Sequence, residues 1–119
     1  MAIQSQAART SGLTIANANF GIYPPATVRA ALLEYSMVQA TGTAQSQGLG
    51  RPATVGTPSG PVLFQQDDPG DPASVVNGHI TWSAQPTAPT IFHRRWNSAA
   101  TIGVGVVWTF PRGLVVAAS

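Results

Sequence analysis

Side chains able to move a proton or hold a metal are few in this chain: His79 and His93, Glu34, and Asp67, Asp68 and Asp71. A nucleophilic triad needs a hydroxyl, a histidine base and a carboxylate that orients it. Ser and Thr are plentiful, but none sits in a G-x-S-x-G or comparable setting. Glycoside hydrolysis needs two carboxyls facing each other across the scissile bond, whereas the three aspartates crowd into one segment, DDPGDP. Three carboxylates so close together suit a hard cation, which makes Asp67, Asp68 and Asp71 the metal-ligand candidates. The twelve-residue EF-hand spacing is missing, however, and Asp before Pro or Gly is ordinary turn chemistry. The expectation is therefore no catalytic residue, no cofactor and no metal.

The other chemically loaded stretch is His93-Arg94-Arg95-Trp96, the one compact basic cluster, with Phe92 beside it. Guanidiniums next to aromatic rings can stack on bases or on sugars. Alternate residues of a strand more often reach to solvent and pair across a sheet. All six basic residues are arginines and the net charge is only +2. So small an excess releases few counterions, and no nucleic-acid partner is expected. The glycines at Gly48 and Gly50 open no helix and precede no Walker lysine, so they are not a phosphate loop. Cysteine is absent, which removes disulfides, thiol catalysis and thiolate metal sites. No apolar run approaches the roughly 20 residues of a spanning helix, and the N-terminus lacks the basic-then-apolar pattern of a secretory leader.

The elements that would position these groups are strands. In AATIGVGVVWTF, residues 99–110, Ile102, Val104, Val106, Trp108 and Phe110 occupy every second position, so an extended chain puts all five on one face. A helix would scatter them and carry two interior glycines at about 1 kcal/mol each. Pro111-Arg112-Gly113 reads as a turn, after which Leu114 begins a final strand. Upstream, residues 1–12 form a polar arm, flexible or docked on a partner. Leu13–Ile22 gives one or two short strands, halted by Tyr23-Pro24-Pro25. Residues 28–40 are divided between helix by composition and strand by context, with neither face cleanly apolar at period two. Residues 41–60 read as a long loop with a short extended piece at 53–55, and Pro61–Gln65 as a brief strand. Asn77-Gly78 reads as a two-residue hairpin turn ahead of the strand His79–Ser83. Charged residues make up only 8% of the chain, against 44% hydrophobic. Short strands spaced by Pro/Gly turns indicate an all-β, single-domain antiparallel β-sandwich over residues 13–119.

The segments RAALLEYSM, GLGRPATVG, DDPGDPAS, ITWSAQPTAPTIFHRRW and AATIGVGVVWTFPRGLVVAAS resemble a group of small all-β proteins of phages and prophage-bearing, GC-rich bacteria. The resemblance covers Val28–Ser119 and implies a jelly-roll-like virion component. It also moves residues 28–38 toward strand. In that group the chain continues past the counterpart of Val115-Val116-Ala117-Ala118 with a further hydrophobic strand, so the expectation here is an open sheet edge at Leu114, Val115 and Val116. A second subunit would cover such an edge by strand addition.

Two functions follow as expectations. The first is a non-enzymatic virion subunit (capsid decoration, head or fibre component) that assembles with copies of itself and with other capsid or tail proteins, and resides in the virion, the alternative being the cytoplasm. Arg94, Arg95, Trp96, Leu114, Val115 and Val116 are its interface or ligand candidates. The second is a carbohydrate-binding sandwich in which Trp82, Trp96 or Tyr35 stacks on sugar rings.

Overall fold

The computed structural model describes residues 3–8 and 17–116. Every regular element among them is a strand: β1 (Gln4–Ser5), β2 (Gly21–Tyr23), β3 (Ala30–Val38), β4 (Ser46–Gly50), β5 (Thr57–Leu63), β6 (Gln65–Gln66), β7 (Asn77–Ala84), β8 (Phe92–Asn97) and β9 (Gly105–Val116). Contacts sort the chain into two compact units, one drawn from Met1–Ala30, Ala53–Ala88 and Val115–Ser119, the other from Ala31–Pro52 and Pro89–Leu114.

In the first unit β7 is the middle strand of β2-β7-β5, antiparallel to both neighbours. Asn77 and Gly78 are the place where all three strands run abreast, with Tyr23 and Leu63 opposite Asn77 and Ile22 and Val62 opposite Gly78. The hairpin turn expected at Asn77-Gly78 is thus not formed. Gly78 instead makes room for aromatic rings, since a Cβ there would come within 3.1 Å of Phe20 and 3.4 Å of Phe64. Glycine in a strand interior commonly marks such close approach rather than a turn. The described part of the N-terminal arm docks on its own chain: β1 pairs with β6, and the Asp67 N–H donates to the Ile3 carbonyl at 2.9 Å. The strand expected at Leu13–Ile15 lies outside the described residues. β2 ends at Tyr23, where Pro24 is buried.

The second unit consists of two two-stranded ribbons, β3-β9 and β4-β8. The strand reading of residues 28–38 is realised in β3, and its burial explains why neither face looked apolar. Ala30 and Leu32 turn inward, then the phase slips by one residue and Tyr35 and Met37 take over. On β9, Val104 and Val106 are half-buried and Trp108 and Phe110 are buried, in the alternation expected. Ile102 departs from it, being 67% exposed in a turn ahead of the strand. That turn is made by Gly103, at φ 89°, whose N–H donates to the Gln39 carbonyl at 2.9 Å. Gln39 is buried, and its Nε2 donates to the carbonyls of Thr41, Ala99 and Thr101 at 2.7, 3.0 and 3.3 Å. One side-chain amide thereby ties the end of β3 to the loop before β9.

Two further expectations are corrected. Pro111-Arg112-Gly113 does not reverse the chain, because β9 runs through it to Val116. The irregularity is absorbed at Gly113 (φ 76°), where a Cβ would lie 3.0 Å from that of Ala31 on β3. Leu114, Val115 and Val116 are therefore the end of a long strand that pairs with β3, not a separate last strand. The long loop expected over residues 41–60 contains β4 and the start of β5, while residues 53–55 form no strand. β4 was hidden by its glycines: a Cβ on Gly48 would sit 2.5 Å from the Phe92 ring, so the ring itself covers the bare backbone.

Positive φ alone and positive φ with crowding are separable here. Gly56 (φ 72°) has the Ala84 carbonyl oxygen 2.5 Å from where a Cβ would be, whereas Gly103 (φ 89°) has nothing within 4 Å. Both Ala substitutions strain the backbone by about 1–3 kcal/mol. Gly56→Ala must in addition move backbone, so in a denaturant titration it is expected to lower stability clearly more than Gly103→Ala.

Candidate interaction site

β8 decides where the basic cluster goes. Its ladder with β4 is regular from Asn97 to Arg94, then skips His93, so that Phe92 rather than His93 stands opposite Gly50. Side chains alternate along a regular strand, so Arg94 and Trp96 share one face and Arg95 lies on the other. The bulge at His93 brings Phe92 onto the Arg95 face, where the Arg95 guanidinium rests 4.8 Å from the Phe92 ring centroid. His93 is left exposed and accepts from Arg51 Nη1 at its Nε2, 2.7 Å away. The Arg94-Arg95 pair is therefore divided between two faces and forms no single basic patch.

Arg94 goes to Phe110, its guanidinium 4.8 Å from the ring centroid while Nη1 donates to the His93 carbonyl at 2.8 Å. This contact joins the β4-β8 ribbon to the β3-β9 ribbon, and a cation over a ring contributes about 0.5–1 kcal/mol at an exposed site. Beside it is an open, mainly apolar recess of about 360 Å³ lined by Arg94, Phe110, Pro111, Arg112, Gly113 and Leu114. Two of the expected interface residues, Arg94 and Leu114, thus meet at one site. Arg95, Trp96, Val115 and Val116 do not line it. Arg112 and Phe110 join the site although the sequence offered no reason to pair them with Arg94. Arg112 read as a turn residue and Phe110 as core, and their proximity to β8 depends on how the two ribbons meet.

Asp67, Asp68 and His79 each hold local structure. Asp67 accepts from Ser5 Oγ at 2.7 Å, and Asp68 Oδ1 accepts the Gly70 N–H at 2.9 Å, closing an Asx turn. Among the described residues no group of three or more His, Cys, Asp or Glu converges as a metal cage. His79 is buried, donates from Nδ1 to the Ser59 carbonyl at 3.0 Å, and meets the Tyr23 ring edge-on with centroids 5.2 Å apart. A backbone carbonyl, not a carboxylate, orients this imidazole. Tyr23 in turn accepts from Trp82 Nε1 at 2.8 Å and donates to the Val55 carbonyl at 2.8 Å.

Of the rings considered as sugar platforms, Trp82 and Trp96 are half-buried, and Trp82 is fastened to Tyr23. Tyr35 lies stacked on Trp108, centroids 6.1 Å apart and planes 22° from parallel. Burial pushes the Tyr35 phenol above its ordinary value of 10.0, because the phenolate would lose solvation there. No protein-family model, curated protein or solved structure matches the chain.

The raised Tyr35 phenol has a defined consequence at high pH. The unfolded chain releases this proton first, so stability is intact below about pH 10 and falls as pH rises through the folded value. Thermal unfolding followed across the alkaline range is expected to show that fall, and Tyr35→Phe is expected to flatten it.

Proposed function

We propose that this chain is a non-enzymatic structural subunit of a virion, a capsid-decoration, head or fibre component, that works by assembling with copies of itself. A jelly-roll-like sandwich, a place in the virion, and contacts to other capsid or tail proteins belong to the same reading. The observation that carries it is the second unit's construction. A two-stranded ribbon is marginal in water unless further surface covers it, yet β3-β9 presents apolar groups on both sides. Tyr35 and Trp108 take one face. Val38 and Val107, 71% and 59% exposed, take the other, and Ile102 stands in the adjoining turn. Large apolar groups exposed together mark association surfaces. The virion setting is supported by the sequence resemblance over Val28–Ser119. The buried His79 imidazole and the carboxylates of Asp67 and Asp68 each have a hydrogen-bond partner within the chain.

Mass photometry and light scattering at micromolar concentration test this. A discrete oligomer is expected. Val107→Asp should weaken self-association by roughly tenfold in dissociation constant, the equivalent of losing about 1.4 kcal/mol of apolar burial, while leaving the single chain folded. A protein that stays monomeric at every concentration would overturn the reading.

A further inference from the structure

Building on the assembly reading, we propose that the recess between β8 and β9 is the socket for the acidic turn of a second copy, so that Asp67–Asp71 of one chain docks against Arg94 and Arg112 of the next. The recess has two guanidiniums and an apolar floor of Phe110, Pro111 and Leu114. Among the described residues Arg94 is engaged by the Phe110 ring and a carbonyl, Arg112 is exposed, and neither meets a carboxylate.

The acidic turn has the opposite character. Asp67 and Asp68 are exposed, and each has one oxygen engaged, by Ser5 and by Gly70 respectively. Asp71 carries a third carboxylate, and its N–H donates to the Asp68 carbonyl at 3.0 Å, which holds the turn in shape before any partner arrives. Pro69 and Pro72 stand exposed between and beside the carboxylates. Proline rings suit an apolar floor and carboxylates suit guanidiniums at its rim, where Arg pairs with carboxylate in a planar, two-bonded fashion. A turn already locked by its own hydrogen bonds loses little entropy on docking.

The chain has no other acidic cluster, Glu34 being the only acid outside this turn. Socket and plug are different surfaces of the same chain, so the contact is head-to-tail. Such contacts close into rings or run on as filaments, the two geometries a repeated subunit needs to coat or extend a larger body.

Charge reversal separates the possibilities. Arg112→Glu and Asp71→Arg each alter a side chain with no ion-pair partner among the described residues, and circular dichroism and thermal unfolding check that both variants fold. Each alone should weaken self-association at least tenfold in sedimentation or mass photometry. An equimolar mixture of the two should restore it, since each variant supplies the surface the other needs. Association of the unaltered chain should also weaken as salt rises.

An oligomer indifferent to both reversals and to salt would overturn the socket while leaving assembly standing. A monomer at every concentration would overturn both. Retention of the chain on duplex nucleic acid, lost in Arg112→Glu and unaffected by Asp71→Arg, would assign the recess to phosphates and overturn the proposal.

Discussion

The buried face of β9 is the constraint on which the second unit depends. Trp108 and Phe110 are its buried large apolar side chains, two positions apart along the strand, and each receives a different strand. Tyr35 from β3 lies on Trp108, and Arg94 from β8 lies on Phe110. The stacked rings contribute about 0.5–1.5 kcal/mol beyond their burial. The cation over Phe110 contributes less, but it links two ribbons that would otherwise each be too small to persist. A recess beside Phe110 follows directly. With Arg94 over the Phe110 ring, Pro111, Arg112 and Leu114 line the rest of the recess.

Irregularity in the strands is what makes that arrangement possible. An unbroken β3 would place Leu32 and Tyr35 on opposite faces, and the phase slip between them lets both turn inward. An unbroken β8 would place Phe92 and Arg95 on opposite faces, and the skipped His93 unites them over Gly48. β9 meets its own irregularity at Gly113, where the left-handed backbone and the approach of Ala31 leave no room for a larger residue. Each deviation re-aims a side chain, the usual role of bulges in a sheet.

The first unit is organised differently, around the crossing of three strands at Asn77-Gly78. There the polar groups are consumed internally. Trp82 donates to Tyr23, Tyr23 to Val55, and His79 to Ser59. The buried imidazole and the half-buried Tyr23 phenol are both hydrogen-bonded, and satisfied polar networks of this kind rigidify a core and specify its packing.

Side-chain alternation was enough to identify β9 and its buried face, because Val104 to Phe110 repeat at the period of an extended chain whatever surrounds them. The strand stop at Tyr23-Pro24 was equally legible, since proline acts locally. The acidic segment at 67–71 was legible as a turn for the same reason. What alternation could not reveal depends on partners distant in sequence. Gly78 in the context Asn-Gly looked like a turn, and only the rings of Phe20 and Phe64 make it a strand residue. Gly48 and Gly50 looked like loop, but Phe92 covers the first and Pro89 the second. Arg94 and Arg95 looked like one patch, but strand alternation puts them on opposite faces and the bulge at His93 brings Phe92 to Arg95. Arg112 gained its place beside Arg94 only because β9 continues through Pro111 and carries it there. Local propensity acts over a few residues, whereas register, bulges and ring contacts are settled by strands tens of residues apart, and those settle the site.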